Sequence, residues 1–513
     1  VELDILTDDT AIQQARKEGL AAIEQAYTAA AGKLKKLLES SRAENGWDGI
    51  TASRPHGSGT EADPYQIGTA QELAWLAYAV NNQTESGGFS AVLTADVDLG
   101  YCQWPVIGTR SSGSQRPYTG TFDGQGHTVS GLYITSPGGR QKLGLFGVAQ
   151  DAVIRNLTVR GSIELTGVRS YDGDTAGYLI GGLLGSGEGT GVTISNCVSQ
   201  VDVSVSFAND QKAQRAAVGG LVGRLSGSGS HTLTDCRSEG RVYTAFAPGA
   251  CYLGGSGGDG GQAGIVGFIS AGARLERCVN AGEVYAGRAA GVGGIVGSAG
   301  SSGTEVTLFQ CANQGAVSND TAAVLLNKGG TGGVLGLAAA GTVTVRSCYN
   351  TGSVAGSTIV GGILGGERGE YSANAQYGCR GLTLENCYNA GGLLVGTATV
   401  RVGALAGYPL DGRYYTGLTV RRGACRYVMG WKCSQGDSVR ESTELTAALF
   451  DGLVDSIGGV NGGYPLFDWQ LLEQQSREEV VSYLNDRYER EIKPIATVAQ
   501  CQEIEKLLTE TCL

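Results

Sequence analysis

The sequence is poor in the residues on which several common protein classes depend. Only 9 of its 513 residues are proline, and no Gly-X-Y period is present, which excludes a collagen-like chain. No run of about 18 apolar residues occurs, so the sequence predicts no membrane-spanning helix and no direct membrane insertion. Lysine and arginine number 38 against 49 aspartates and glutamates, for a net charge of −11. The lack of a basic stripe argues against a nucleic-acid partner.

Histidine is also scarce, and this limits the chemistry that the chain can support. The three histidines, His56, His127 and His231, have no partners at zinc-ligand spacing, and no His-Glu-x-x-His sequence occurs. The many Gly-x-Gly steps lack the strand, phosphate loop and helix of a nucleotide site. We therefore expect no metal and no cofactor. Calcium binding stays an open question. Asp172–Asp174 and Asp259 lie in loop-like segments that could hold the ion, but they lack a full calcium-binding pattern.

Glycine is the abundant residue, with 85 copies, while hydrophobic residues make up 41% of the chain and aromatics 7%. Average proteins contain roughly 7% glycine. Valine, isoleucine, leucine, alanine and threonine supply most of the remaining small and apolar positions. This mixture predicts many short strands joined by tight turns.

A repeat is the strongest signal in the sequence. The phrase Gly-Gly-apolar-apolar-Gly, or a close variant of it, occurs eight times at intervals of 29 to 44 residues. The shortest interval fits three strands and their turns, so one repeat can form one turn of a three-faced coil. The eight copies are Leu143–Gly147, Gly181–Gly185, Gly219–Gly223, Ala263–Gly267, Gly293–Gly297, Gly332–Gly336, Gly361–Gly365 and Gly403–Gly407.

A second phrase, apolar-x-x-Cys-x-Asn-x-Gly-x-Val, follows most copies of the first. It is clearest at Leu275–Val284 and Val345–Val354. In a stacked coil each strand pairs with its equivalents about 4.8 Å above and below, so equivalent side chains form rows. We expect the Asn-x-Gly step to make a corner, because both residues tolerate a left-handed backbone.

The cysteine of the second phrase could be a metal or redox ligand, or a small buried hydrophobe. The first copy has Leu157 at this position, and leucine can replace a core cysteine but not a metal ligand. Stacked neighbours also point in parallel, which suits a disulfide poorly. We therefore predict a structural row of free, buried thiols: Cys197, Cys236, Cys278, Cys311, Cys348 and Cys387.

The two phrases together resemble the GLUG motif, a repeat of bacterial secreted and cell-surface proteins. These include adhesin-like proteins and the non-catalytic parts of some immunoglobulin-A-cleaving metallopeptidases. The resemblance covers about residues 60–470, and the motif itself about 143–407. It implies a β-solenoid on the outside of a bacterium, and it brings no catalytic residue, because the motif is structural.

The predicted fold is mainly β: a three-faced parallel β-solenoid, by analogy right-handed, with short α-helical segments at both termini. Thr69–Glu72 forms a capping box before an amphipathic helix that could cover the first turn. Tyr464–Trp469 could plug the last turn. Val1 opens no signal peptide, so we expect a mature or excised fragment. The predicted segments are a helical segment at 1–50, an N-terminal cap at 60–142, repeats at 143–430, a C-terminal cap at 431–470 and a helical segment at 471–513.

Acidic residues are candidate catalytic groups, because β-helices also host polysaccharide-degrading enzymes. Asp96 and Asp98 alternate along one strand, and Asp123 could converge with His127. The simpler interpretation is structural: Asp98 ends a strand at a turn, and Asp123 belongs to a tight corner. No cluster of acids recurs from copy to copy, so an enzyme is the less favoured class.

Loop insertions in the longer repeats are the better place for function, because insertions at one phase of a coil emerge on one side. They include Tyr171–Tyr178, Phe207–Arg215 and Ala245–Tyr252. We predict a non-enzymatic, adhesin-like module that binds a host glycan or a surface protein and belongs to a longer surface protein. A structural stalk is the alternative. The predicted binding residues are Tyr243, Phe246, Tyr252, Tyr408, Tyr414 and Tyr415.

Overall fold

The computed structural model describes most of the chain between residues 47 and 470. The described ranges are 47–84, 89–111, 114–138, 141–168, 177–208, 216–246, 260–287, 291–319, 330–356, 359–367, 379–395, 401–407, 419–423, 425–428, 441–442, 445–450, 453–456, 461 and 464–470. The predicted helical segments at 1–50 and 471–513 lie almost wholly outside these ranges and stay predictions. Among the described helices, none has both the length and the hydropathy needed to cross a membrane.

The described chain winds into stacked coils whose strands form three parallel sheets. The long sheet contains Tyr65–Ile67, Ala91–Leu93, Val97–Asp98, Thr121–Asp123, Thr128–Ile134, Val153–Val168, Thr193–Phe207, Ser230–Thr234, Arg237–Ser238, Val242–Phe246, Gly272–Glu276, Val279–Asn280, Val284–Ala286, Glu305–Phe309, Ala312–Asn313, Val317–Asn319, Gly341–Arg346, Tyr349–Asn350, Val354–Gly356, Cys379–Glu385, Tyr388–Asn389, Leu393–Val395, Thr419–Gly423, Arg426–Val428 and Glu441–Ser442.

The other two parallel sheets are shorter. The eight-stranded sheet contains Lys142–Leu143, Tyr178–Gly181, Ala216–Gly219, Gly261–Ala263, Gly291–Gly293, Gly330–Gly332, Ile359–Gly361 and Arg401–Gly403. The seven-stranded sheet contains Phe146–Gln150, Leu184–Glu188, Val222–Leu225, Val266–Ile269, Val296–Ala299, Leu335–Ala338 and Leu364–Glu367. An antiparallel hairpin of Thr109–Ser111 and Ser114–Arg116 stands apart from the coils. The predicted three-faced parallel β-solenoid is thereby confirmed, while its handedness stays a prediction.

The Gly-Gly-apolar-apolar-Gly phrase forms the sharp turn from the eight-stranded to the seven-stranded sheet. After this turn the two strands face each other with almost no side chain between them. A Cβ atom at Gly297, the last residue of one copy, would lie 2.5 Å from the backbone N of Gln262 and from the carbonyl oxygen of Gly267. Glycine is therefore required here by the close approach of two backbones.

The two repeated phrases are coupled inside the coils that contain the asparagine. A Cβ atom on the second glycine of the first phrase would lie 2.0 Å from the Asn280 side chain at Gly264, and 2.2 Å from the Asn313 side chain at Gly294. The asparagine of the second phrase therefore occupies the space that this glycine leaves empty. Their steric fit explains why the two phrases occur together.

The asparagines form a buried row rather than the expected corner. Nδ2 of Asn280 donates to Oδ1 of Asn313 at 2.8 Å, and the pattern continues to Asn350 and Asn389 at 2.7 Å each. Each Nδ2 also donates to the carbonyl oxygen of the glycine two residues later. All four side chains are fully buried. Such a ladder satisfies the buried amide groups from coil to coil, and it ends at Oδ1 of Asn280, which has no hydrogen-bond partner.

The left-handed corner lies one residue before the cysteine. Arg277 has φ +51°, and the equivalent residues of the other coils have similar values. The Asn-x-Gly expectation was therefore wrong about which residue turns the chain. Glycine at position 282 is needed for another reason, since a Cβ there would lie 2.0 Å from the carbonyl oxygen of Gly240 in the neighbouring coil.

The cysteines stack in one row inside the long sheet. Leu157 pairs with Cys197, as the internal comparison of the repeats predicts. Each thiol of the row is buried and none forms a disulfide. Burial raises the pKa of the Cys197 thiol well above its ordinary value. The row contains Cys197, Cys236, Cys278, Cys311, Cys348, Cys387 and also Cys425.

A helix follows the first strand of the solenoid. It spans Ala70–Asn82, and Thr69 and Glu72 form the predicted capping box at its start. Leu73 and Leu76 are fully buried in the same apolar cluster as Tyr65 of the first strand. The backbone of His56 adds an antiparallel bridge to Gln66. The first strand is therefore covered rather than left as an open edge.

The C-terminal segment packs on the side of the solenoid. The sequence had suggested that it plugs the last turn, and it does not. We call the described residues between 445 and 470 the C-terminal strap; they include a short 3₁₀ helix, Ala447–Leu449. Tyr349 and Tyr388 stack outside the coils at 5.0 Å. The strap covers them with Phe450 and Phe467, and Gln470 accepts a 2.6 Å hydrogen bond from the Tyr349 hydroxyl.

Candidate functional site

The structure moves two of the predicted binding residues from loop tips into a strand. Tyr243 and Phe246 both belong to the strand Val242–Phe246 of the long sheet, so their predicted placement in a loop insertion was wrong. Their proposed role in binding stays a prediction. The other four residues lie outside the described part of the chain, namely Tyr252, Tyr408, Tyr414 and Tyr415.

Tyr243 is poorly placed to stack on a sugar. Its ring stacks on Tyr285 of the next coil at 4.9 Å with an interplanar angle of 13°. The guanidinium carbon of Arg241 lies 4.8 Å from the centre of the same ring. A stacked ring and a guanidinium cannot share one face at these distances, so both faces are taken. Only the ring edge remains for a partner.

The acidic candidates separate into three local arrangements. Asp96 pairs with His127 across two coils, with 3.2 Å between Oδ1 and Nδ1; the Asp96 side chain is exposed to solvent and the His127 side chain is half-buried. Its hydrogen bonds from the Thr128 backbone and from His127 lower the pKa of Asp96. Asp98 accepts from the backbone of Gly100 at its strand end. Asp123 instead pairs with Arg155 at 3.0 Å, so it does not converge with His127.

His231 is a structural core residue. Its Nδ1 accepts a 3.0 Å hydrogen bond from the backbone N–H of Val192, and Nε2 lies 3.1 Å from the carbonyl oxygen of Ser226. Burial lowers the pKa of His231, which favours the neutral ring that this pattern needs. The described residues contain no group of three His, Cys, Asp or Glu side chains placed to hold a metal ion. Asp172, Asp174 and Asp259 are outside those residues.

A polar cleft of about 440 Å³ opens in the first coils of the repeat. It lies where the strands of the eight-stranded sheet begin and those of the seven-stranded sheet end. Neighbouring strands supply its walls: Leu179 pairs with Lys142 in one sheet, and Glu188 pairs with Gln150 in the other. The hairpin contributes Arg110. The lining residues are Arg110, Lys142, Gln150, Leu179, Glu188, Gly189, Arg224, Ser226, Gly227 and Ser228.

A carboxylate belongs to the wall of this cleft. The Glu188 side chain is only 10% exposed and forms an ion pair with Arg110, whose side chain is 35% exposed. The hydroxyl of Ser186 donates to Oε1 of Glu188 at 3.1 Å. Arg110 is held in turn by a 3.0 Å hydrogen bond to Gln115 within the hairpin. The pair joins the hairpin to the solenoid wall.

Arg224 is held by a second set of contacts. Its Nε and Nη2 donate to the hydroxyl of Ser270 at 3.3 and 3.2 Å, in the next coil. Its guanidinium carbon also lies 5.8 Å from the centre of the Phe268 ring. These contacts fix the plane of the guanidinium at the edge of the cleft, so its donors have a defined direction.

The cleft exists because one row of the eight-stranded sheet changes from large to small residues. In the first coils this row contains Lys142, Leu179 and Ala217. Gly261 follows Ala217, and a Cβ there would lie 2.4 Å from the carbonyl oxygen of Gly267. Gly291 is similarly restricted. At the bend itself the approach is equally close in the early coils, where a Cβ on Gly223 would lie 2.5 Å from the backbone N of Ile180. The room for the cleft therefore lies beyond the bend, at the row that keeps its side chains in the first coils.

Sequence reasoning missed the cleft because its residues come from four separate segments. A signal was present in the residues after the Gly-Gly-apolar-apolar-Gly phrase. The early copies have Gln150, Glu188 and Arg224 within three residues of the last glycine, where the copy ending at Gly336 continues Leu-Ala-Ala. Aligning the copies beyond the phrase would have shown this concentration of polar residues.

The comparisons with known proteins give distant similarities. No family model matches the chain. Halomucin of Haloquadratum walsbyi is 27% identical over 180 residues, which are 34% of this chain and 2% of the length of halomucin. A solved structure described as a candidate immunoglobulin A1 protease of Bacteroides ovatus has a TM-score of 0.39 and 17% identity, covering 80% of this chain and 94% of that one. Another, described as IgA1 protease, has a TM-score of 0.35 and 15% identity, covering 72% and 21%.

Proposed function

We propose that this chain is a non-enzymatic module of a bacterial secreted or cell-surface protein, and that it binds a glycan or a surface protein in the manner of an adhesin. The observation that carries the proposal is the polar cleft formed by Arg110, Lys142, Glu188 and Arg224 on a rigid stack of strands. Concave sites with a few fixed polar groups are the usual form of a ligand site. The resemblance to GLUG repeats supports the location outside the cell.

A structural stalk is the second candidate. The observation in its favour is the unbroken asparagine row from Asn280 to Asn389, which joins consecutive coils by side-chain hydrogen bonds. A stalk needs such a row and needs no cleft. The exposed Asp96–His127 pair and the turn and ion-pair roles of Asp98 and Asp123 give no support to a catalytic site.

The test is a glycan and surface-protein binding array with the full chain. We expect binding that is lost in the double variant Lys142→Gln/Arg224→Gln and kept in the control Arg160→Gln, which removes one exposed cation from the long sheet. If the wild-type chain binds nothing on the array, the stalk is favoured. New reducing ends after incubation with polysaccharides would instead identify an enzyme.

A further inference from the structure

The cleft differs in charge from the chain that contains it. The whole chain carries a net charge of −11. The described lining of the cleft, in contrast, has the three cationic side chains Arg110, Lys142 and Arg224 and the single carboxylate Glu188. A local excess of positive charge in a concave, partly buried place attracts anions, and it does so despite the opposite overall charge.

The neutral residues of the cleft limit what kind of anion fits. Leu179 is almost fully buried and is the one large apolar residue of the described lining. Ser226 and Gln150 add neutral donors and acceptors to the lining. The described lining contains no aromatic residue, so a nucleobase would find no ring on which to stack.

Glu188 further restricts which class of anion fits the cleft. A carboxylate in the wall repels a compact polyanion such as a phosphate ester. It can accept hydrogen bonds from the hydroxyls of a ligand that carries its own charge elsewhere. A sugar acid has this combination. Its carboxylate can bind a guanidinium or an ammonium of the cleft, and its hydroxyls can donate to the carboxylate and the amide of the lining. Its C–H groups can pack on the apolar side chain of Leu179.

We propose that the cleft binds a carboxylate-bearing sugar of the uronic-acid type within an oligosaccharide. This inference rests on the proposed binding function and names the ligand class for the same site. Arg224 and Lys142 bind the ligand carboxylate, and Glu188, held by Arg110, accepts from ring hydroxyls. Oligosaccharides that lack the negative charge bind weakly.

The experiment measures the binding of a labelled oligogalacturonate to the full chain by fluorescence anisotropy. Its fully methyl-esterified form keeps the backbone of the sugar but removes the charge, and a sulfated oligosaccharide tests a different anion. We expect Kd for the uronate to rise about 10- to 100-fold in Lys142→Gln and in Arg224→Gln, the usual range for losing a charge-assisted hydrogen bond. Arg160→Gln serves as the matched control and should bind like the wild type, with folding of every variant checked by circular dichroism.

Four outcomes separate this inference from the proposed function. Uronate binding that falls with added salt, with esterification and in both cleft variants supports the inference. Equal or tighter binding of the esterified or the sulfated sugar overturns the uronate assignment but keeps a binding module. Uronate binding that survives both cleft variants overturns the cleft as its site. The absence of any binding to the array described above overturns both.

Discussion

The early and the late coils of the solenoid follow one plan and differ in one row of the eight-stranded sheet, which has side chains in the early coils and glycines in the late ones. In the late coils Gly261, Gly291 and Gly330 let the sheets close until backbone touches backbone. In the early coils Lys142 and Leu179 occupy the same row and line the cleft. The bend itself is just as tight there, since a Cβ on Gly223 would lie 2.5 Å from the backbone N of Ile180. One row of side chains therefore distinguishes the coils that line the cleft from the coils in which glycine brings the two backbones together.

The largest effect should come from placing a side chain between closed sheets. Gly297→Ala introduces a Cβ 2.5 Å from the backbone of Gln262 and of Gly267. We expect a loss of about 3 kcal/mol in the free energy of unfolding, because neither backbone can move without opening the stack. Urea denaturation followed by circular dichroism measures it.

Gly381→Ala is the matched control, because its Cβ would have an ordinary contact, 3.5 Å from Thr342 Cγ2. Its stability should stay the same or rise by up to about 1 kcal/mol. Equal losses in the two variants would show that close approach of the sheets is not what the glycine of the repeat provides.

A smaller loss is expected from interrupting the asparagine row that only the late coils possess. Asn313→Ala removes the acceptor of Asn280 and the donor to Asn350 in a fully buried place. We expect a cost of about 2 kcal/mol, the desolvation penalty of buried polar groups that lose a partner. The exposed Asn82→Ala should change the free energy of unfolding by less than about 0.5 kcal/mol, and a similar cost in both would argue against the row as a stabilising element.

In the early coils the sensitive interaction is the ion pair inside the cleft. Arg110→Ala leaves the buried carboxylate of Glu188 without its cation, and we expect a cost of about 1 kcal/mol because Arg110 is itself partly exposed. Adding Glu188→Gln to Arg110→Ala should recover stability at neutral pH. If Glu188→Gln does not restore the free energy of unfolding, Arg110 stabilises the cleft through its packing and not through its charge.

The smallest perturbation tests the cysteine row, which runs from an early coil into the late ones. Burial raises the pKa of the Cys197 thiol, so at pH 8 it stays protonated and cannot act as a thiolate. We expect Cys197 to resist iodoacetamide in the native chain and to react once the chain is unfolded. The half-buried Cys102 should react earlier than Cys197. Peptide mass spectrometry resolves the two sites, and rapid native labelling of Cys197 would contradict the buried row.

Local signals in the sequence predict much of this fold. The capping box at Thr69 predicts a helix because both of its hydrogen bonds are made within four residues. Leu157 identifies the cysteine row because equivalent residues of a solenoid share one environment. The corner was misassigned, since the left-handed residue before each cysteine varies between arginine, glutamine, serine, asparagine and aspartate and has no glycine to mark it.

The candidate site was harder to predict for a physical reason. Arg110 comes from a hairpin outside the repeat, and Lys142, Glu188 and Arg224 come from three different coils. Only the register of the strands brings these four side chains together. Tyr243 shows the reverse case, because an aromatic residue that looks available in the sequence is covered by Tyr285 and Arg241 in the fold.

The C-terminal strap has a consequence for the way in which this molecule would carry a mechanical load. A solenoid pulled from its last coil can unpeel one strand at a time, because each step breaks only the hydrogen bonds of one coil. The strap crosses the coils, and its apolar cluster contacts Val279, Ala312, Tyr349 and Tyr388 in four successive turns. Tension applied through the chain beyond residue 470 therefore reaches the middle of the stack first. The strap would distribute that force over several coils at once and protect the last turns from peeling.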